Sequence, residues 1–324
     1  MSDPRVSVLL PVYNGGPYLR QALDSLLGQS FADFEVIAID DGSADDSLRI
    51  LESVADSRFK VYHQENRGLA TTLNRAIGLA RGRYLARQDQ DDLSRPARFE
   101  KQAAFLDAHP DTGLVGTWAE VWQEHGPSGR FHRHPTENAA LQFELLFDNP
   151  FVHSSVMLRR SAVEAVGAYS TDPSRQPPED YELWCRLARH CRVANLPEPL
   201  LVYREVATSM SRAGRAPFLE GLLRLSAEQL AWHAGRDPAD EAARDCAALL
   251  QGAYDRASAA PSLRRMLALL RGAAQGVARH AGVSVAVFGA AARARRIRLL
   301  YHWGRCRLGM PPLHLPPASG KATP

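Results

Sequence analysis

No apolar run in this 324-residue chain approaches the roughly 18–20 residues needed to span a bilayer; the longest candidate, Val283–Ala292, is too short. Cysteine is scarce. Cys185, Cys191, Cys246 and Cys306 form no Cys-x-x-Cys pair, and their spacing suggests neither a zinc site nor a disulfide framework. That usage fits a reducing cytosol. Met-Ser-Asp-Pro-Arg leads straight into an apolar strand, so no signal peptide is expected. Lysine is nearly missing: Lys60, Lys101 and Lys321 leave arginine to supply 36 of 39 basic residues. With alanine and proline also plentiful, this reads as a genome-wide bias. Arginine counts alone therefore do not argue for phosphate or nucleic acid.

Acidic residues stop at Asp255. From Arg256 to the end there are 12 Lys and Arg and no Asp or Glu, which leaves the first 255 residues with 27 basic against 36 acidic groups. A whole-chain charge of +3 thus hides a body of −9 and a basic tail. Such a tail suggests an anionic partner, a membrane surface or nucleic acid. Beyond Tyr301 and Trp303, aromatic residues are not interleaved with the basic run as stacking platforms, so single-stranded nucleic acid is not expected. No internal repeat is visible. A length of 324 residues allows one large or two modest domains.

The chain opens with alternating strands and helices. Val6–Leu10 is a continuous apolar run of the buried-strand type, followed by a turn, Pro11–Gly16, and a helix that Pro17 can start. Phe34–Ile39, Phe59–His63 and Tyr84–Arg87 read as further strands, with helices at Ala44–Val54 and Gly68–Ala80. This order predicts an α/β fold: a mainly parallel, twisted sheet with helices on both faces. Ligands of such sheets bind beyond the carboxyl ends of the strands. The polar clusters fall there: Tyr13-Asn14, Asp40-Asp41, Asn66 and Asp89–Asp92. Later expectations are a helix at Ala97–Ala108, strands at Leu114–Gln123, Ser155–Leu158 and Leu200–Tyr203, and a polar loop at Glu124–Pro135. Ser170–Pro178 reads as a loop delivering Glu179-Asp180 to a helix. From about Arg212 the chain turns Ala/Leu/Arg-rich and helical, at Leu219–His233, Ala239–Ala259 and Ser262–Ala281. Pro311–Pro324 is Pro-rich, with the composition of a disordered tail. The expected division is 1–211 catalytic, 212–310 helical and basic, 311–324 tail.

Tyr84–Pro96 is the stretch with the most chemistry. Alternating carboxylates after a strand can hold a hard divalent cation, and the cation a diphosphate. The same letters fit a solvated acidic loop. Asp40-Asp41-Gly42-Ser43 is equally a helix cap, Arg67 a phosphate contact or a surface charge, and Glu179-Asp180 a pair of acids suited to a first helical turn.

Five motifs in order make the chain resemble the family 2 glycosyltransferases, which have the GT-A fold (Rossmann-like). They are Pro11-Val12-Tyr13-Asn14, Asp40-Asp41-Gly42-Ser43, Asn66-Arg67-Gly68 with Asn74, Asp89-Gln90-Asp91-Asp92, and Glu179-Asp180 with Leu183-Trp184. The resemblance covers roughly residues 5–211. It implies Asp91 as ligand of Mn²⁺ or Mg²⁺, Asp89 beside it or on the ribose or donor sugar, and Asp41 on the N3–H of uracil, with Asp40 next to it in the nucleotide-sugar site. Pro11 and Tyr13 would shape the base pocket, and Asn66, Arg67, Asn74 and Arg204 would line the nucleotide sugar. Asp180 would be the general base, with Glu179 positioning it or binding the acceptor. His153 matches a position often held by His in relatives. Tyr203-Arg204 with Ser209 and Ser211 resembles a late motif in which relatives often carry a His where this chain has Val206, so water is the expected third ligand. The implied activity is inverting transfer from a UDP-sugar to a glycan or lipid-linked acceptor in bacterial surface polysaccharide assembly. The expected setting is cytoplasmic, with the basic region free to meet the inner face of the membrane. The alternatives are a sugar nucleotidyltransferase, which would want a Gly-rich phosphate loop that Pro11–Gly16 lacks, and a non-catalytic nucleotide-sugar-binding scaffold.

Overall fold

A computed structural model describes residues 3–205 and 215–312. Val206, Ser209, Ser211 and most of the Pro-rich end lie outside them. The chain divides into two units: 1–136, 151–174 and 186–213 form one, and 137–150, 175–185 and 214–324 the other.

The first unit is built on one mixed sheet. Its strands are β1 (Val6–Val12), β2 (Phe34–Asp41), β3 (Phe59–Gln64), β4 (Tyr84–Arg87), β5 (Leu93–Ser94), β6 (Thr112–Gln123), β7 (Gly126–His132), β8 (Met157–Arg159) and β9 (Arg192–Arg204). They run in the order β3-β2-β1-β4-β8-β6-β9-β5, with β7 added on β6. The expected parallel start is present: β1 pairs parallel with both β2 and β4, and β2 with β3. Beyond β4 the sheet becomes mixed, since β8 joins β4 and β6 antiparallel and β9 runs parallel to β6. β1 and β2 are buried at every position. A strand buried on both sides needs cover on both faces of the sheet, which is why these segments read as unbroken apolar runs.

The covering helices carry the matching stripes. In α1 (Gly16–Leu27) Pro17 stands in the first turn, where its missing N–H costs nothing, and Leu19, Leu23 and Leu26 are buried. α2 (Ser47–Glu52), α3 (Leu69–Leu79) and α4 (Arg98–Ala108) follow β2, β3 and β5. Phe99 of α4 meets Phe34 of β2 edge to face at 5.6 Å in the core they share with Val8, Leu10 and Leu23.

Three elements differ from the sequence reading. Glu124–Pro135 is not a loop: β6 and β7 make a hairpin there, with Gly126 at φ +110 and a register shift at Val121/Trp122. The strand was masked by the polar, half-exposed pattern of an edge. The strand expected at Leu200–Tyr203 runs from Arg192, because Pro197 and Pro199 are absorbed where the β6–β9 register shifts around Trp118. The helix expected over Ala239–Ala259 stops at Leu250, before Gly252 at φ +72.

The second unit is helical. α5 (Asn138–Glu144) and the first part of α7 (Glu179–His190) belong to it; α6 (Arg160–Val166) belongs to the first unit. The others are α8 (Arg215–His233), α9 (Glu241–Leu250), α10 (Leu263–Ala281) and α11 (Gly289–Arg307). Phe143, Phe147, Leu230, Cys246, Met266 and Leu299 are among the buried side chains of its core. Phe143 stacks on Phe288 at 4.9 Å. A Cβ on Gly276 of α10 would stand 1.8 Å from the carbonyl oxygen of His233 on α8. Alanine would improve helix propensity there by about 1 kcal/mol. Forcing two backbones apart costs about 1–3 kcal/mol and outweighs it. Gly276→Ala should therefore lower stability in urea titration, and a stabilised variant would contradict this packing.

Candidate functional site

The rim of the sheet is made by loops that bind one another through main-chain groups. Asn14 adopts a left-handed φ of 50°. Its N–H donates to Ser43 Oγ and its Oδ1 accepts from the Ala44 N–H, both at 2.9 Å. The N–H groups of Gly15 and Gly16 donate to Ser47 Oγ and the Asp45 carboxylate, also at 2.9 Å. Thus the loop after β1 is fixed to the loop after β2. Gly42 stands at φ +77, and a Cβ there would lie 2.7 Å from the backbone nitrogen of Asn66. Only glycine allows both that angle and that approach.

The two aspartates at the end of β2 have different partners. Asp41 accepts from Gln64 Nε2 at 2.6 Å, the Arg67 N–H at 2.9 Å and the Gly68 N–H at 3.0 Å. It clamps the loop that starts α3. Asp40 accepts from the Ser43 N–H at 3.4 Å and shares its Oδ2 with His63 Nδ1 at 2.8 Å. Its Oδ1 is buried without a hydrogen-bond partner among the described residues. Pro11 is buried in β1, whereas Tyr13 is half exposed. Asn66 and Arg67 are exposed beside Gly68. The Asn74 amide is paired with the backbone of Tyr169, donating to its carbonyl at 2.8 Å and accepting its N–H at 2.9 Å. The Tyr169 hydroxyl in turn meets His153 Nε2 at 2.9 Å. Burial, then the Arg87 charge, holds His153 well below its usual range, so the ring is neutral.

The acidic loop follows β4. Arg87 donates to Asp89 Oδ1 at 2.5 Å. Asp92 is buried; it accepts from Ser154 Oγ and, at 2.8 Å, from the Arg204 N–H. Asp91 has no side-chain hydrogen bond among the described residues. Burial, then the Asp89 charge, raises it to about 6. Gln90 grips Tyr13 from both sides, accepting its N–H at 2.7 Å and donating to its carbonyl at 3.0 Å. Underneath lies Arg98, fully buried. It donates to Gln88 Oε1 at 3.1 Å, Ser94 Oγ at 2.8 Å, and the Arg87 and Val156 carbonyls at 2.7 and 3.2 Å. Gln88 passes the brace on to the Asp89 and Asp92 carbonyls. At the end of β9, the Arg204 guanidinium lies over Tyr18 at 5.1 Å and Trp122 at 5.5 Å.

Glu179 and Asp180 belong to the second unit, in the first turn of α7. Asn149 donates to Asp180 Oδ2 at 2.7 Å. Burial, then the Glu179 charge, pushes Asp180 up to about 7.

The profile of glycosyl transferase family 2 matches residues 7–167. EpsE of Bacillus subtilis, assigned as a glycosyltransferase, is 36% identical over 216 residues, 65% of this chain and 77% of that protein. The O-antigen biosynthesis glycosyltransferase WbnJ of Escherichia coli is 32% identical over 207 residues, 61% and 79% of the two chains. This chain belongs to the family 2 glycosyltransferases. S. aureus TarS (residues 1–349, with UDP-GlcNAc) aligns with a TM-score of 0.60 at 20% identity over 94% of this chain and 92% of its own. The mannosyltransferase PcManGT of Pyrobaculum calidifontis, in complex with GDP-Man and Mn²⁺, gives 0.55 at 19% over 95% and 88%. At such identities the likeness speaks for the fold, which is GT-A.

The glycosyltransferase loop fits a divalent cation of the Mg²⁺ or Mn²⁺ type. Its donors are hard carboxylate oxygens, Asp91 lacks a countercharge of its own, and no group of three or more His, Cys, Asp or Glu gathers as a closed cage among the described residues. One or two carboxylates plus phosphate oxygens are what such ions take. Sequence reasoning missed the brace of Gln88 and Arg98, the Gln90 clamp and Asn149. Only Gln90 carried a signal, sitting inside the acidic motif. Removing Arg98 strands several buried acceptors, so Arg98→Met should cost about 3–5 kcal/mol. A thermal melt within a degree or so of wild type would show that the brace is dispensable.

Proposed function

We propose that this glycosyltransferase moves a sugar, with inversion, from a UDP-sugar to a glycan or lipid-linked acceptor in surface polysaccharide assembly. The observation that carries the reading is the Asp91 carboxylate, without a side-chain hydrogen bond among the described residues and raised to about 6, in a loop tied to the loop after β1. The UDP-GlcNAc and GDP-Man complexes of the structural neighbours support a nucleotide-sugar donor. The O-antigen role in WbnJ's name supports the polysaccharide setting.

Asp91, with Asp89 alongside, would hold a divalent cation, which would supply positive charge against the charge of the departing diphosphate. The protein's own work is positioning and proton transfer. Asp40 Oδ1, the acceptor left without a donor, is the better candidate for a base N–H; three of the roughly four acceptor positions of Asp41 are taken. Tyr13 offers its ring edge to the base, while Arg67 and Arg204 supply charge for phosphate. The acceptor oxygen forms a bond to the anomeric carbon as the bond to the diphosphate breaks. Its proton passes to Asp180, with Glu179 holding the acceptor.

Asp180 acts only when ionised, and burial favours its protonated form. Turnover should therefore fall about tenfold per pH unit below about 7 and level off above. The Asn149 hydrogen bond favours the ionised form, so Asn149→Leu should move that limb to higher pH. UDP release should require Mn²⁺ or Mg²⁺ and vanish in Asp91→Ala. Asp180→Asn should lose roughly 10²–10⁴-fold. Metal-independent release, or an Asp180→Asn variant as active as wild type, would refute the respective assignment; a preference for GDP-sugars would reassign the base.

A further inference from the structure

Among the described residues nine large apolar side chains are exposed, and seven of them lie between Val285 and Met310. Scattered singly, such residues mean nothing; gathered, they mark a surface that meets something. Three belong to α11, with Ile297 60% exposed, Leu300 45% and Tyr301 56%, and Leu308, just past its end, is 79% exposed. At about 3.6 residues per turn they fall on one side of the helix. Exposed Arg293 shares that side, and exposed Arg296 and Arg307 border it, Arg307 over the Trp303 ring at 5.7 Å. The opposite side is anchored. Leu299 is buried, His302 shares a hydrogen bond with the Tyr254 hydroxyl at 2.6 Å, Trp303 donates to the Pro261 carbonyl at 2.9 Å, and Arg295 lies over Phe147 at 4.5 Å. The outer side is not a core face left over by chance, because the helix already has one.

We propose that the outer face of α11 docks on an anionic lipid bilayer, lying in the interface with its apolar side chains in the acyl boundary and its arginines at the headgroups. Charge selects this occupant. No acidic residue follows Asp255, so a second copy of this face would bring arginine against arginine in any orientation. A nucleic acid would leave Ile297, Leu300 and Leu308 facing a polar backbone. A bilayer with anionic headgroups matches both components at once. No described helix is long and apolar enough to cross a membrane, so contact is along the surface. The proposal stands independently of the donor and base assignments.

Flotation of the full chain with phosphatidylcholine vesicles, with and without phosphatidylglycerol, tests it. Binding is expected only with phosphatidylglycerol and should weaken with salt. The triple variant Arg293→Gln, Arg296→Gln, Arg307→Gln should lose roughly a hundredfold in partitioning. Ile297→Ser with Leu300→Ser should lose roughly tenfold or more even at low salt. Tyr301→Trp gives a second readout, a blue shift of its emission on adding anionic vesicles. Circular dichroism checks that the variants, all at exposed positions, keep their helices. Failure to bind anionic vesicles, equal binding to neutral ones, or variants that float like wild type would overturn the proposal. So would a serine pair whose effect is to dissociate an oligomer or release a protein partner.

Discussion

Three carboxylates within four residues, set into a half-buried loop, repel one another and resist losing water. Everything at the rim of the sheet answers to that constraint. Asp89 is neutralised locally by Arg87. Asp92 is buried and tied to Ser154 and the Arg204 backbone, and burial with its two acidic neighbours keeps it well above the usual carboxylate range. Among the described residues Asp91 has neither an ion pair nor a side-chain hydrogen bond, only the weaker influence of the Arg87 and Arg204 charges. A site that leaves one carboxylate without a direct partner is primed for a cation. The surrounding brace keeps the loop from relaxing away from that state.

The brace works because it is made of fixed donors. Burial pushes Arg98 down to about 9, while the Asp92 charge works against that fall, so the guanidinium stays charged at neutral pH. It sits under the loop and reaches main-chain carbonyls on β4 and before β8 at once. The same logic governs the other rim loops. Asp41, Asn14 and Gln90 spend side-chain groups on the backbone of neighbouring loops rather than on the helices they precede. Four loops contributed by separate strands are thereby held as one surface, with few side chains free to move. The residues left over, Tyr13, Arg67 and Asp91, are exposed or lack side-chain partners among the described residues.

Much of this was legible in the sequence because it is local. Unbroken apolar runs gave β1 and β2, and each polar cluster at a strand end became a rim loop. What was not legible is long-range. The amide of Asn74 looked like a site group, yet it pairs with Tyr169, 95 positions away. Asn149 sits 31 residues from Asp180 with no motif around it. The two aspartates after β2 look alike as letters; which one keeps a free acceptor depends on how the β3–α3 loop folds back. Edge strands such as β7 are half exposed and polar, so no periodicity announces them. Prolines 197 and 199 hid β9 because a bulge that tolerates them depends on the partner strand.

Arginine shows how far composition can mislead. Its abundance argues for nothing by itself, and the structure sorts the same side chain into distinct tasks. Arg98 is a buried brace, Arg87 a local counter-ion, and Arg295 covers Phe147 while pairing with Glu144. Arg204 lies between two aromatic rings at the end of β9. Each of these has an acid, a carbonyl or a ring to satisfy it. On the outer side of α11 the described residues offer neither acids nor buried acceptors, and the apolar neighbours are exposed. Apart from Arg307 over the Trp303 ring, the arginines there have no partner among the described residues, and the proposed docking gives that arrangement its sense through a charge outside the protein.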